Sequence, residues 1–357
     1  MTAPTQRRVS VIVPTCDRPA LLRQALASIR ALEGSDLTFE ILVGDNGSAP
    51  ETRTVAEEFG AIYLRADRRG AGAARNAGLR AATGDYLAFL DDDDVWLPTH
   101  VRGHLSLLEA RPEFEAAVGQ VVSTNPDLIP TSAPWPVEAP RDGRLFMKMI
   151  SGYFPQIGAT VARARVRESV GEFDESLIGD QDWDWHIRVA RQHKVGFVDQ
   201  SCVLFRQRAS GSFDALQLRR LPYTRRVFFK NALPAWRRWS SPAAFLRSYF
   251  GAVQIYHNYF TDAAITRAHR GERRSALHAI RIALGVSPIR TVRQLLGATP
   301  LRTALMTIVG QQRARIRTPQ EPIQKQDSAL LASRVAATGV EPHADPMPIN
   351  KVSVPRK

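Results

Sequence analysis

Cysteine is nearly missing from this chain of 357 residues: only Cys16 and Cys202 occur. Far apart, they form no close-spaced metal or redox pair, which predicts a reducing compartment. No run approaches the ~18 uninterrupted apolar residues of a spanning helix. The opening Met-Thr-Ala-Pro-Thr-Gln-Arg-Arg lacks the apolar core of a signal peptide. These absences predict a cytoplasmic protein. Lysine is scarce too, Lys148 being the first.

Charge is present but unevenly placed. The net charge is +13, yet residues 1–200 hold 22 Lys and Arg against 28 Asp and Glu, a net of −6. Residues 201–357 hold 26 against 7, a net of +19. The two halves therefore suit different partners. For the basic half the candidates are an anionic membrane surface, at which Phe245–Ile265 looks amphipathic, or nucleic acid, for which no reading motif appears.

Apolar runs at Val9–Val13, Phe39–Val43, Ala61–Arg65 and Tyr86–Leu90 alternate with helical spacing at Pro19–Leu32, Glu51–Phe59 and Gly70–Ala82. This order predicts an α/β fold with a mainly parallel sheet covered by helices. Further segments are a helix at Pro98–Ala110, strands at Ala116–Val122, Ala159–Ala164 and Val195–Val198, and an amphipathic helix at Asp182–Arg191. Residues 123–142 form a long Pro-, Ser- and Thr-rich loop containing Trp135. The expected organisation is a catalytic domain over 1–214 and a basic helical extension over 215–318, with helices near 243–266, 272–285 and 300–317. A disordered tail is expected over 319–357.

The most informative junction is Tyr86-Leu-Ala-Phe-Leu90 running into Asp91, Asp92, Asp93 and Asp94. Four carboxylates at the end of a buried strand repel one another unless a cation sits among them. Such oxygens are what Mg²⁺ or Mn²⁺ prefer, and strand ends are where open α/β sheets bind ligands. Gly70–Gly78 invites a dinucleotide reading but places Arg75 where the third glycine belongs; an arginine at a glycine-lined helix start suits a phosphate or a base instead. Asp45-Asn-Gly-Ser48 is an ordinary turn sequence whose side chain could accept from a base N–H. Asp182 reads as a general base or as a helix cap. His100 and His104, at i and i+4, have a zinc-compatible spacing but no third ligand, and read as a solvent-facing pair. Trp183 and Trp185 suit either stacking on sugar rings or core packing.

Taken in order, Val9–Arg18, Asp45–Ser48, Gly72–Gly78, Phe89–Asp94 and Phe173-Asp-Glu…Gln181-Asp-Trp-Asp184 resemble the large inverting glycosyltransferase family with the GT-A fold, the family 2 type, over about residues 8–210. The resemblance implies a Rossmann-like sheet and a metal-dependent transfer of sugar from a nucleotide diphosphate donor, UDP- or dTDP-linked, to a sugar, lipid-linked or other hydroxyl acceptor. Polysaccharide, glycolipid or other glycoconjugate synthesis is the implied setting, at the inner face of a membrane if the basic half attaches there. By the same resemblance Thr15 and Asp17 edge the nucleobase pocket, Asp45 binds the base and Arg75 steadies the nucleotide. Asp91 or Asp92 contacts the ribose or the metal, Asp93 ligates Mn²⁺ or Mg²⁺, and Asp182 is the base.

Three departures bear on this. Asn46 stands where a second Asp is common, Gln181 replaces a Glu, and Phe205-Arg-Gln-Arg-Ala-Ser lacks an expected His, leaving Gln207 or Arg208 for the diphosphate. A sugar-phosphate nucleotidyltransferase is the nearest rival, but it needs an early Gly- and Arg-rich phosphate loop plus a lysine; here strand one leads to Pro-Thr-Cys-Asp-Arg, and lysine is almost absent from the first half.

Overall fold

The computed structural model describes residues 6–136, 139, 142–207 and 213–317. β1 (Arg7–Thr15), α1 (Pro19–Arg30), β2 (Leu37–Asp45), α2 (Glu51–Glu58), β3 (Ile62–Arg65), α3 (Ala71–Ala81) and β4 (Tyr86–Phe89) follow in the predicted alternation. Then come β5 (Val95–Trp96), α4 (His100–Ala110), β6 (Phe114–Thr124), α5 (Phe146–Ile150), β7 (Thr160–Arg163), α6 (Val166–Val170), α7 (Gln181–Gln192) and β8 (Lys194–Arg206). The remainder is helical: α8 (Phe213–Ala232), α9 (Pro242–Ala252), α10 (Gln254–His269), α11 (Arg273–Val286), α12 (Pro288–Leu296) and α13 (Pro300–Arg317).

All eight strands form one sheet in the order β3-β2-β1-β4-β7-β6-β8-β5. β7 and β5 run against the others, so the sheet is mixed but mainly parallel. Side-chain alternation along the strands feeds two cores. Ile12, Leu42, Leu87 and Phe89 face a cluster with Leu79 of α3 and Trp185 and Ile187 of α7. Val11, Val13, Ile41 and Val43 face Leu22 and Leu26 of α1 and Leu105 of α4. A sheet covered on both faces explains why its strands read as nearly continuous apolar runs. The first core continues without a break into Phe228 and Ala232 of α8 and Phe245 of α9. A separate small core, with Phe260, Ala279, Ile280 and Leu301, joins α10, α11 and α13.

Trp183 and Trp185 are both buried in the first core, Trp185 stacked on Phe173 at 5.5 Å, which settles them as packing residues. The expected tail over 319–357 lies outside the described residues, as does Arg208. Among the described residues no helix is long and apolar enough to cross a membrane.

Candidate active site

Parallel pairing aligns the strand ends. Thr15 is opposite Asp45 in the β1–β2 register, and Leu90 N donates to Ile12 O at 3.1 Å, so the four aspartates leave the sheet beside Thr15. Arg206 ends β8 at the same edge. Two close approaches shape the edge. A Cβ on Gly44 would lie 2.0 Å from Ala74 O, so only glycine lets α3 pack against the end of β2. A Cβ on Gly47 would lie 2.5 Å from Asp17 N, where the first and second strand-end loops meet. Asp17 itself is left-handed, with φ 55°, a conformation aspartate tolerates better than most residues. Its Oδ1 accepts from Ser48 N at 2.5 Å and Ala49 N at 2.7 Å, and these backbone bonds hold its carboxyl below the usual range.

Asp45 is only 1% exposed. Its Oδ1 accepts from Gly47 N at 2.7 Å, and its Oδ2 from Tyr63 Oη at 2.8 Å and Arg65 Nη1 at 3.4 Å. Asn46, the first departure, donates from Nδ2 to Gly70 O at 2.7 Å and ties this turn to the start of α3.

The aspartates do not stand as the bare, self-repelling cluster expected from sequence, because arginines interleave them. Arg75 Nη2 donates to Asp91 Oδ1 at 2.5 Å. Arg18 reaches Asp92 at 2.5 Å and Asp93 at 3.0 Å. Arg206 donates its backbone N to Asp94 Oδ1 at 2.8 Å and its Nε to Asp93 O at 2.7 Å. Thr15 Oγ1 donates to Asp92 Oδ2 at 2.6 Å. Burial pushes Asp92 up to about 6 despite Arg18 and Thr15, and raises Asp94 well above the carboxylate range. Asp91 stays 30% exposed and Asp93 9%. An exposed carboxylate beside a second one, all oxygen donors, fits a hard divalent cation. Such an ion at Asp93 has to displace the Arg18 contact.

Asp182 enters from α7, on the sheet face that also carries α3. Asp180, not Asp182, occupies the cap position of α7; its backbone is left-handed and it makes no cap bond. Asp180 instead takes Arg220 Nη2 at 2.6 Å and the Thr224 hydroxyl, both from α8. That leaves Asp182 on the first turn, half-buried, with Oδ1 accepting only from Trp183 N at 2.9 Å. Burial raises its pKa, while the Arg75 and Arg220 charges pull the other way. The buried Arg75 guanidinium is thus flanked by Asp91 on the sheet and by the charge of Asp182 on α7. Its Nε and Nη1 have no hydrogen-bond partner among the described residues. Asn76 fixes the intervening turn, donating to Phe173 O at 3.0 Å and accepting from Phe173 N at 2.8 Å.

Asp184, two residues on, differs entirely. Fully buried, it takes Arg188 Nε at 2.9 Å, Lys230 Nζ at 3.0 Å and Asn231 Nδ2 at 2.8 Å, and so anchors α8 to α7. Arg18 ends the first motif and Arg206 lies in the Phe205–Ser210 segment, but sequence reasoning gave neither a role, and nothing in the sequence marks Arg220. Gln207 is exposed at the end of β8, its N–H donating to Thr124 O at 2.9 Å.

The histidine expectation is corrected. His100 and His104 are fully buried rather than solvent-facing, and Cys202 supplies a third candidate donor. His104 Nδ1 and Nε2 lie 2.7 Å and 3.0 Å from the carbonyls of His100 and Ala159. Burial depresses His104 to about 4 and lifts the Cys202 thiol to about 12, so both are neutral core groups.

The order of this mainly parallel sheet and its helical cover are those of the GT-A fold. The crystal structure of S. aureus TarS 1-349 in complex with UDP-GlcNAc shares the fold, with a TM-score of 0.56 at 15% identity over 88% of this chain and 93% of that one. Residues 10–167 match the model of Glycosyl transferase family 2, which together with the relatives below supports a family 2 glycosyltransferase. It is 25% identical over 239 residues to the uncharacterised glycosyltransferase YwdF of Bacillus subtilis (strain 168), covering 63% of this chain and 85% of YwdF. Over 97 residues it is 36% identical to GalNAc(5)-diNAcBac-PP-undecaprenol beta-1,3-glucosyltransferase of Campylobacter jejuni, covering 25% of this chain and 31% of that enzyme. The protein is a glycosyltransferase.

Proposed function

We propose that this glycosyltransferase moves a sugar from a nucleotide diphosphate, UDP- or dTDP-linked, to a hydroxyl acceptor with inversion at the anomeric carbon. The observation that carries the reading is Arg75: a buried guanidinium with two nitrogens, Nε and Nη1, unpartnered among the described residues, between Asp91 and Asp182. Buried donors without partners call for a ligand or water, and a guanidinium is shaped for phosphate oxygens. Thr15, Asp17 and Asp45 would border the nucleobase. Asp91 or Asp92 would meet the ribose, and Asp93 with Asp91 would hold Mn²⁺ or Mg²⁺. When bound, that ion supplies Lewis-acid neutralisation of the diphosphate leaving group.

Asp182 takes the proton of the acceptor hydroxyl as its oxygen bonds to the anomeric carbon. The bond to the diphosphate oxygen breaks in the same displacement, and the nucleoside diphosphate departs with the electron pair. A half-buried carboxylate whose pKa is raised is a better base than a solvated one. Relatives named as glucosyltransferases acting on undecaprenol-diphosphate-linked sugars support a lipid-linked acceptor, and the net +19 of residues 201–357 supports peripheral attachment to an anionic membrane.

The test is hydrolysis of a panel of UDP-, dTDP- and GDP-sugars with Mn²⁺, with Mg²⁺ and with chelator. One donor should be cleaved, only with metal, and its transferred sugar should carry the opposite anomeric configuration by NMR. Turnover in chelator would remove the metal, and retention would remove the single displacement.

A further inference from the structure

An amphipathic helix in a globular protein turns its apolar stripe inward. Helix α12 does the reverse. It is held to the protein by Thr291, fully buried with Oγ1 at 3.0 Å from both His257 Nε2 and Ala283 O, and by Leu295 against the small helical core. Ile289, Val292 and Leu296, spaced along one face, point outward; Ile289 is 76% exposed and Leu296 75%. Arg290 and Arg293 are exposed on the same short helix. Residues 273–317, which include α11, α12 and α13, contain nine arginines and no Asp or Glu.

We propose that α12 is the element that seats this enzyme on an anionic bilayer, its outward aliphatic face entering the acyl boundary and its arginines meeting headgroup phosphates. The inference deepens the peripheral attachment proposed above and rests on it. It also relocates it: α9 and α10, where the sequence looked amphipathic, bury Phe245, Tyr256 and Phe260 in the protein. A second copy of the chain is a poorer occupant, since it would bring an equally cationic rim with no acid to answer it. Nucleic acid answers the arginines but not Ile289 and Leu296. An anionic lipid surface answers both.

The placement has a consequence for the acceptor. Tyr256 and His257 are neighbours on α10. The hydroxyl of Tyr256 lies 3.5 Å from Asp180 Oδ2 and 2.6 Å from Thr224 Oγ1, while His257 bonds Thr291 of α12. The bilayer helix and the turn that presents Asp182 are thus fastened to adjacent residues, and a lipid-linked acceptor meets the base from the membrane side.

The full chain is floated with vesicles of phosphatidylcholine alone and of phosphatidylcholine with phosphatidylglycerol. Binding is expected only to the anionic vesicles. Ile289→Asp with Leu296→Asp should lower partitioning by about a hundredfold, while Arg290→Gln with Arg293→Gln should lower it about tenfold and reduce its salt dependence. Because these side chains are exposed, thermal melts should not move. Donor hydrolysis in vesicle-free buffer should not move either, which separates failure of this inference from failure of the transfer reading. Undiminished flotation of the Ile289/Leu296 variant would overturn the proposal. So would loss of a dimer by sedimentation, which would make the face a contact between copies, or binding to random DNA that is unchanged by Ile289→Asp with Leu296→Asp.

Discussion

The sheet edge and the helical extension use the same cation in opposite ways. At the edge, Arg18, Arg75 and Arg206 are turned inward onto Asp91, Asp92, Asp93 and Asp94, and the charges close on one another. Residues 273–317, which span α11, α12 and α13, contain nine arginines and no Asp or Glu. The difference teaches that net charge alone does not locate a binding surface. A dense acidic run can be internally balanced and still chemically poised, whereas a sparse basic one can be open to an external partner.

The largest effect should come at the edge. Asp182→Asn is expected to cost ~10²–10⁴-fold in transfer rate with donor affinity nearly unchanged, measured by single-turnover transfer and calorimetric donor titration. Asp93→Ala should come next, abolishing the metal dependence of donor affinity while leaving the melt in place. Equal donor affinity with and without Mn²⁺ in the unaltered protein would break the assignment.

Asp184 tests whether the two acids of α7 differ as their surroundings say. Removing one member of a buried ion pair costs roughly 3–5 kcal/mol, and Lys230 is partly solvated, so Asp184→Ala should cost about 3 kcal/mol in a denaturant melt. Asp182→Asn should barely move the same melt. Lost stability in the Asp182 variant would mark it as a structural residue rather than a base.

The pH dependence sharpens the contrast. As the proposed base Asp182 would work deprotonated, and burial raises its pKa, so transfer should fall with acid along a limb above the ordinary Asp value of about 3.9. Asp182→Asn should erase that limb. Asp174 has the opposite sign: burial is outweighed by Lys230 and Ser176, which hold it at about 2. Its contribution to stability is full above the unfolded value of about 3.9 and lost as pH falls toward 2. The smallest effect is chemical: Cys16, exposed, should react with a thiol reagent in the native protein, and Cys202, buried and shifted to about 12, should not.

Much of this was legible from the residues. The βα alternation through β4 followed directly from period and punctuation, and the four aspartates fell at the expected strand end. What was hidden had physical causes. α8 contains Pro222, which reads as a helix breaker, yet the helix runs from Phe213 to Ala232. β8 reads as ending at Val198 because Asp199, Gln200 and Ser201 interrupt its apolar run; the strand absorbs them at a register shift and continues to Arg206. β7 is antiparallel to its neighbours, a direction that four residues cannot announce. α12 did carry start and stop signals, Pro288 at its first turn and Gly297 after its last, but its nine residues are short. The arginine partners of the aspartates were invisible because pairing is a property of the fold: Arg18 and Arg206 stood in recognisable segments, but only Arg75 carried an assigned role.

The core that passes unbroken from Trp185 through Phe228 to Phe245 limits how this enzyme can be recombined. A chimera joining the donor-binding front of one relative to the helical back of another would cut through a single packed interior, not a hinge. Buried aromatics from two ancestries would have to interlock. Exchanging the halves therefore asks for co-selected residues on α7, α8 and α9, and natural diversification of acceptor choice is expected to proceed by surface change on α10 through α13 while that seam stays fixed.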